Sequence, residues 1–345
     1  MELMGENGRP IRISLVATPA AMVSPVSGLF EVLQSVGAIV AAAGGDPLPY
    51  EPFEPQIVAE TAGPLPGASG LSIAAHRSVD EVPDTDIVIV PSMAIGNEGE
   101  WAPGRFPKIV AWIRDMHAGG ATICSACSGG MLTAETGLLD GNEATIHWLS
   151  ERPFRNRHPD VVLRLDEALV VSGEGGRIVT SGASTAWHDL ALYLVARYVG
   201  PSSAQAVARY QLLQWHRDGQ TAFQVFTAPT GHGDAAVLAA QRWLEDHHAV
   251  GSPVEEMVRR SGLPASTFKR RFKAATGLTA IAYVQRVRVE RAKRLLETTA
   301  EPVEAISWAV GYEDAASFRR LFKRLTAMPP GDYRRKFRLP NLPGV

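Results

Sequence analysis

The sequence predicts a chain of two unlike parts. The first is an α/β domain built on a doubly wound parallel sheet; the second is an all-α domain with two helix-turn-helix motifs. Three observations carry this. Strand-like and helix-like stretches alternate through the first 200 residues. A pattern near the C-terminus occurs twice. Charge divides unevenly: residues 251–345 hold 19 Lys/Arg against 9 Asp/Glu, a net +10, and residues 1–250 hold 15 against 27, a net −12. A basic half joined to an acidic half points to a nucleic-acid module attached to a partner domain.

The elements follow in order. Residues 11–17 (IRISLVA) form an apolar-rich strand, and 29–43 have helical spacing and stop at Gly44-Gly45. Residues 56–59 and 73–74 are short strands. The continuous apolar run 86–91 (DIVIVP) suits a strand buried on both faces. A helix over 106–118 ends at Gly119-Gly120, a buried strand spans 121–124, and a new helix spans 128–137. A strand at 177–180 and a helix at 186–199 complete the α/β part. Pro229, Gly231 and Gly233 then mark a linker. The predicted domains are therefore 10–225 and 235–338, with 226–234 between them. Asp234 is the expected N-cap of a helix over Ala235–His247. Helices and turns continue to about Phe337, and LPNLPGV is expected to be a tail.

Residues 254–283 and 303–333 hold the repeat. Gly262 matches Gly311, Phe268 matches Phe318, Phe272 matches Phe322 and Tyr283 matches Tyr333. Each copy reads as helix, glycine turn, helix (motifs 254–277 and 303–326). The phenylalanines at i and i+4 face inward, and Lys/Arg face out. Side chains early on such a helix meet base edges in the major groove, whereas later basic residues suit phosphates. The helix between the copies is a spacer, setting two readers about 34 Å apart on successive major grooves. These stretches (SGLPASTFKRRFKAATG, RVRVERAKRLLE, AVGYEDAASFRRLFKR, PPGDYRR) resemble the DNA-binding domain of the AraC/XylS family of transcription regulators over about 235–337. The resemblance implies base or backbone contacts from Ser266, Lys269, Arg270 and Lys273, and from Ser317, Arg319, Arg320 and Lys323. It implies a promoter or operator duplex and RNA polymerase as partners. One departure is Ala327, where copy one has Gly277; it is expected to alter only a turn.

Residues 121–130 run from a buried strand through Cys127-Ser128-Gly129-Gly130 into a helix, a nucleophile-elbow arrangement. A cysteine at a helix N-terminus is expected to favour thiolate, and the same amides suit an anionic ligand. This segment, with GLLDG, AT-x-HW and RIVTSGASTAWHDLALYLV, resembles the DJ-1/PfpI branch of the class I glutamine amidotransferase-like superfamily over roughly 10–200. The version fused to AraC-type domains is the nearer likeness. The resemblance implies a flavodoxin-like fold and a homodimer. It also implies a small-molecule effector that is amino-acid-derived or a quaternary amine (arginine, betaine, carnitine), and commonly an activator role. The pocket is expected to involve Cys127, Ser128, Glu31 and His147. Peptidase-like relatives carry histidine directly after the cysteine, where this chain has Ser128, so no catalytic residue is assigned and no enzyme is expected. Two alternatives stay open: a cysteine hydrolase or amidase fused to a DNA-binding domain, and a thiol redox sensor using Cys124 and Cys127.

No cofactor or metal is expected, since the two cysteines lack a second ligand pair. The polar N-terminus (MELMGENGRP) lacks a secretory layout, no apolar run reaches about 20 residues, and two cysteines make no disulfide framework. A cytoplasmic protein with no membrane contact is the expectation.

Overall fold

The computed structural model describes residues 9–45, 48, 50–95 and 101–340, so residues 1–8 and the last five residues of the expected tail lie outside it. The chain forms two compact units, 1–220 and 221–345.

The first unit runs β1 (Ile11–Val16), α1 (Val23–Gln34), α2 (Val36–Ala42), β2 (Phe53–Ala59), β3 (Gly63–Pro66), β4 (Ser72–Ala75), β5 (Arg77–Ser78), β6 (Ile87–Val90), α3 (Pro107–Ala118), β7 (Thr122–Ala126), α4 (Gly129–Glu135), β8 (Glu143–Ala144), α5 (Glu151–Arg157), β9 (Val162–Leu163), β10 (Leu169–Ser172), β11 (Ile178–Ser181), α6 (Trp187–Tyr198) and α7 (Pro201–Tyr210). Seven strands pair in the order β10-β11-β7-β6-β1-β2-β5. All run parallel except β10, which pairs antiparallel to β11 at one edge. Alternation along β6 shows why both faces need helices: Ile87 and Ile89 enter one core with residues of α1, α2, α6 and α7, while Val88 and Val90 enter the other with residues of α3, α4 and α5. This is the doubly wound sheet. Two small pairs, β3 with β4 and β8 with β9, sit outside it.

The helix expected over 29–43 begins earlier and breaks at Ser35, where α1 and α2 meet at 59°. Ser35 Oγ turns back to the Glu31 carbonyl, and the Glu51 carboxylate accepts from the first amides of α2, Gly37 N at 2.8 Å and Ala38 N at 3.1 Å. A cap supplied from 14 residues away ends one helix and starts another. Among the described residues no single helix is long and apolar enough to cross a membrane.

The second unit contains α8 (Ala235–His247), α9 (Pro253–Ser261), α10 (Ala265–Thr276), α11 (Ala280–Thr298), α12 (Val303–Ala309), α13 (Ala315–Thr326) and α14 (Pro330–Phe337). It has two cores. Met257, Phe268 and Phe272 meet Ala280, Tyr283 and Val284 from the first half of α11; Ile306, Phe318 and Phe322 meet Val289, Ala292 and Leu296 from its second half. The segment 226–234 is not a free tether. Phe226 packs edge-on against Tyr283, Gln241 donates to the Pro229 carbonyl and accepts from His232 Nε2, and Asp234 both caps α8 and forms a two-pronged ion pair with Arg271. Ala222 is already part of the second core, and the second compact unit begins at Thr221.

Gly277 ends α10 at φ 75°, and Ala327 ends α13 at φ 61°. The substitution does leave the turn in place, at the cost of a Cβ in the left-handed region. Ala327→Gly is expected to raise the stability of this unit by roughly 0.5–1 kcal/mol in urea melts.

Candidate functional site

The repeat is preserved down to ring geometry. Phe268 and Phe272 lie 5.5 Å apart, Phe318 and Phe322 5.7 Å; Phe272 meets Tyr283 edge-on at 5.2 Å, Phe322 meets Tyr333 at 5.4 Å. Thr276 and Thr326 each bond back to the phenylalanine carbonyl four residues earlier, both at 2.8 Å. Fixing the inner face this way fixes the outer one. On α10, Ser266, Lys269, Arg270 and Lys273 are all exposed and follow i, i+3, i+4, i+7, a single stripe. The matching stripe on α13 is Ala316, Arg319, Arg320 and Lys323, again exposed.

Ser317 stands one position off that stripe. It is half-buried, donates to Asp314 Oδ2 at 2.5 Å and accepts from Arg320 at 2.7 Å, so it takes part in the cap of α13. Several cations of this basic unit are structural. Arg271 is held by Asp234, Arg288 donates to the His248 and Val250 carbonyls, and Lys293 donates to the Gln224 carbonyl and Glu290. Arg288 and Lys293 are buried, although the sequence places them on a spacer helix among other basic residues.

In the first unit, Cys127 follows β7 with φ 55°, the left-handed turn expected of an elbow. Its N–H donates to the Ser181 carbonyl at 2.8 Å. Ser128 Oγ accepts from Met93 N at 2.8 Å and donates to Met93 O at 2.5 Å, pinning the turn to the end of β6. Gly129 must be glycine: a Cβ there would stand 2.3 Å from the Val90 carbonyl oxygen.

The thiolate expectation fails. Burial pushes the Cys127 thiol up from its ordinary range, and the Ser128 amide with the hydroxyls of Ser92, Ser128 and Ser184 only partly offsets this. Helix α4 is only seven residues long, and Cys127 at its start is 7% exposed. Cys124 points into the opposite core, and burial pushes its thiol to about 12. Both cysteines are free.

His147 is half-buried. Its ring accepts from Leu149 N at 3.2 Å and lies tilted against Trp148 at 4.2 Å, and burial lowers its pKa. Its neighbour Ile146 packs against Gly130 of the elbow. Glu31 lies on the exposed side of α1, because the 3.6-residue period turns Val26, Leu29, Val32 and Leu33 inward. Its position gives no support to a pocket role.

The structure adds residues that the sequence did not single out. Gln220, 3% exposed, donates to Thr145 Oγ1 at 2.9 Å and to the Ile146 carbonyl at 3.1 Å, and accepts from Ala183 N at 3.0 Å. Buried Asp189 accepts from His216 N at 2.8 Å and lies 2.7 Å from His216 Nδ1. The segment after α7 is thereby fastened to residues on either side of the elbow. The one hint in sequence was a lone Asp in the apolar run WHDLALYL. Among the described residues no group of three or more His, Cys, Asp or Glu is placed to hold a metal ion.

Comparison with known proteins agrees with this geometry. A profile for the DJ-1/PfpI family matches residues 22–197, and one described as a helix-turn-helix domain matches 257–336. The chain is 25% identical over 307 residues to the HTH-type transcriptional regulator CdhR of Pseudomonas aeruginosa, covering 88% of each protein. It is 26% identical over 277 residues to the HTH-type transcriptional regulator GlxA of Rhizobium meliloti, covering 79% of this chain and 82% of that one. The HTH-type transcriptional activator RhaS of Klebsiella pneumoniae is 36% identical over 103 residues, 30% of this chain and 37% of that protein. With an elbow-bearing parallel sheet matched over half its length and a tandem helix-turn-helix unit behind it, this chain belongs to the DJ-1/PfpI family, in the form that carries an AraC-type DNA-binding domain.

Proposed function

We propose that the protein is a one-component transcription regulator that binds a specific promoter or operator duplex through α10 and α13 and responds to a small metabolite held near Cys127. The observation that carries this is the pair of matched stripes on two recognition helices built on equivalent aromatic cores. The regulators CdhR and GlxA, similar along most of their length, support it. The effector is an amino-acid-derived or quaternary-amine metabolite, as the likeness of the first unit to DJ-1/PfpI domains fused to AraC-type domains implies. The protein works as a cytoplasmic homodimer and acts on transcription with RNA polymerase.

The burial and raised pKa of Cys127 favour a binding turn over a nucleophile, and those of Cys124 disfavour a redox pair. Catalysis is therefore not part of this reading. The test is a titration of the full chain at about 0.15 M salt on promoter and scrambled duplexes, with specific binding expected to be at least about 10³-fold tighter. Equal binding to both would overturn the reading. Arginine, betaine and carnitine, screened by thermal shift, should include one that raises Tm by mass action. Cys127→Ser should keep DNA binding; a hydrolase fused to this domain would lose turnover instead.

A further inference from the structure

The two recognition helices match in fold and differ in charge state. On α10, among the described residues, Lys269, Arg270 and Lys273 make no ion pair. On α13 the equivalents of the first two are engaged: Arg319 pairs with Glu304, and Arg320 is held by Ser317 and faces Asp314 at 3.9 Å. The difference arises in two positions. Asp314 caps α13, accepting from Ala316 N and Ser317 N at 3.0 Å each, where α10 begins after Pro264, which carries no acid. Glu304 has a counterpart in Glu255, yet Glu255 is exposed and, among the described residues, makes no ion pair with Lys269.

We propose that Glu304 and Asp314 are internal competitors for DNA: they hold Arg319 and Arg320 until matching bases are offered, so that α13 adds little sequence-independent grip and engages chiefly on the matching sequence. This rests on the regulator reading above. An arginine already neutralised by a carboxylate gains little from exchanging it for a phosphate, and the exchange leaves the freed carboxylate facing a polyanion. A guanine edge is a different trade, because its two acceptors take a bidentate pair of hydrogen bonds whose geometry the wrong base cannot supply. The competitors therefore suppress binding to random sequence more than binding to the correct one.

The test uses the full chain and compares Glu304→Gln, Asp314→Ser and Glu255→Gln on promoter and scrambled duplexes between 50 and 200 mM salt. Serine keeps the cap of α13 without the charge. Glu255→Gln sets the scale for simply removing a negative charge from the same helix position in the other motif. Glu304→Gln is expected to tighten scrambled-duplex binding about two- to fivefold. It should also steepen the log–log salt slope by about 0.9, one added phosphate contact. Promoter affinity should change less, so that selectivity falls, and Asp314→Ser should act in the same direction. If Glu304→Gln does no more than Glu255→Gln, or shifts both duplexes equally, the inference is overturned while the regulator reading stands. If the unaltered protein shows no selectivity at all, both are overturned.

Discussion

Replacing Arg270 by alanine is expected to cost the protein about 1–3 kcal/mol of specific DNA affinity, roughly 5- to 150-fold, and far less on random duplex. Arg270 lies in the middle of the α10 stripe, exposed, on a helix whose inner face is locked by Phe268 and Phe272. Among the described residues it makes no ion pair, so a base edge would engage its guanidinium at little internal cost. Lys273 lies one turn further along the same stripe. Its loss should weaken binding to every sequence alike and make the salt slope shallower by about 0.9. Titrations of both variants on promoter and scrambled duplex separate the roles. An Arg270→Ala loss of equal size on both duplexes would reassign Arg270 to a phosphate.

Gly311→Ala is expected to be among the most damaging single changes to the helical unit, about 3–4 kcal/mol, because two penalties coincide. Its φ of 89° disfavours any side chain, and an added Cβ would stand 2.7 Å from the Ala249 carbonyl oxygen and 2.7 Å from the Arg288 guanidinium. Relief would push Arg288 away from the His248 and Val250 carbonyls, leaving a buried charge without its acceptors. The equivalent glycine of the first motif supplies the control. Gly262 has φ 65° and nothing within 4 Å of the added atom, so Gly262→Ala should cost only about 1–2 kcal/mol. Urea melts of the two variants measure the difference, and equal costs would show that the close approach at Gly311 is unimportant.

Both predictions concern residues whose importance was unequally visible in sequence. Gly262 and Gly311 stood out because each aligns with the other at the turn of a repeat; only the structure shows that one is crowded and its twin is not. Buried strands such as β6 were legible because a sheet covered on both faces needs continuous apolar runs. The antiparallel edge strand β10 was not, since LVVS in a polar stretch has neither the length nor the alternation of a strand. The break at Ser35 was invisible because its cause, Glu51, lies on the next segment. The cationic stripe on α10 followed from helical period alone. The burial of Arg288 and Lys293 did not, because whether a polar side chain faces solvent or a carbonyl depends on elements distant in the chain. At the elbow the turn geometry was readable from small residues after a strand, whereas the protonation of Cys127 depended on how deeply the neighbouring segments cover it.

The central helix α11 belongs to both cores of the helical unit: Tyr283 and Val284 close one, Val289 and Ala292 the other, and Arg288 between them fastens the turn at 248–250 while lying 5.0 Å from the Tyr312 ring. Neither half can melt without stripping a partner from its twin, so the pair should unfold in one cooperative step despite having separate interiors. A core lesion in either half then disables both, so a change confined to the interior of one motif would also cost the other its recognition helix.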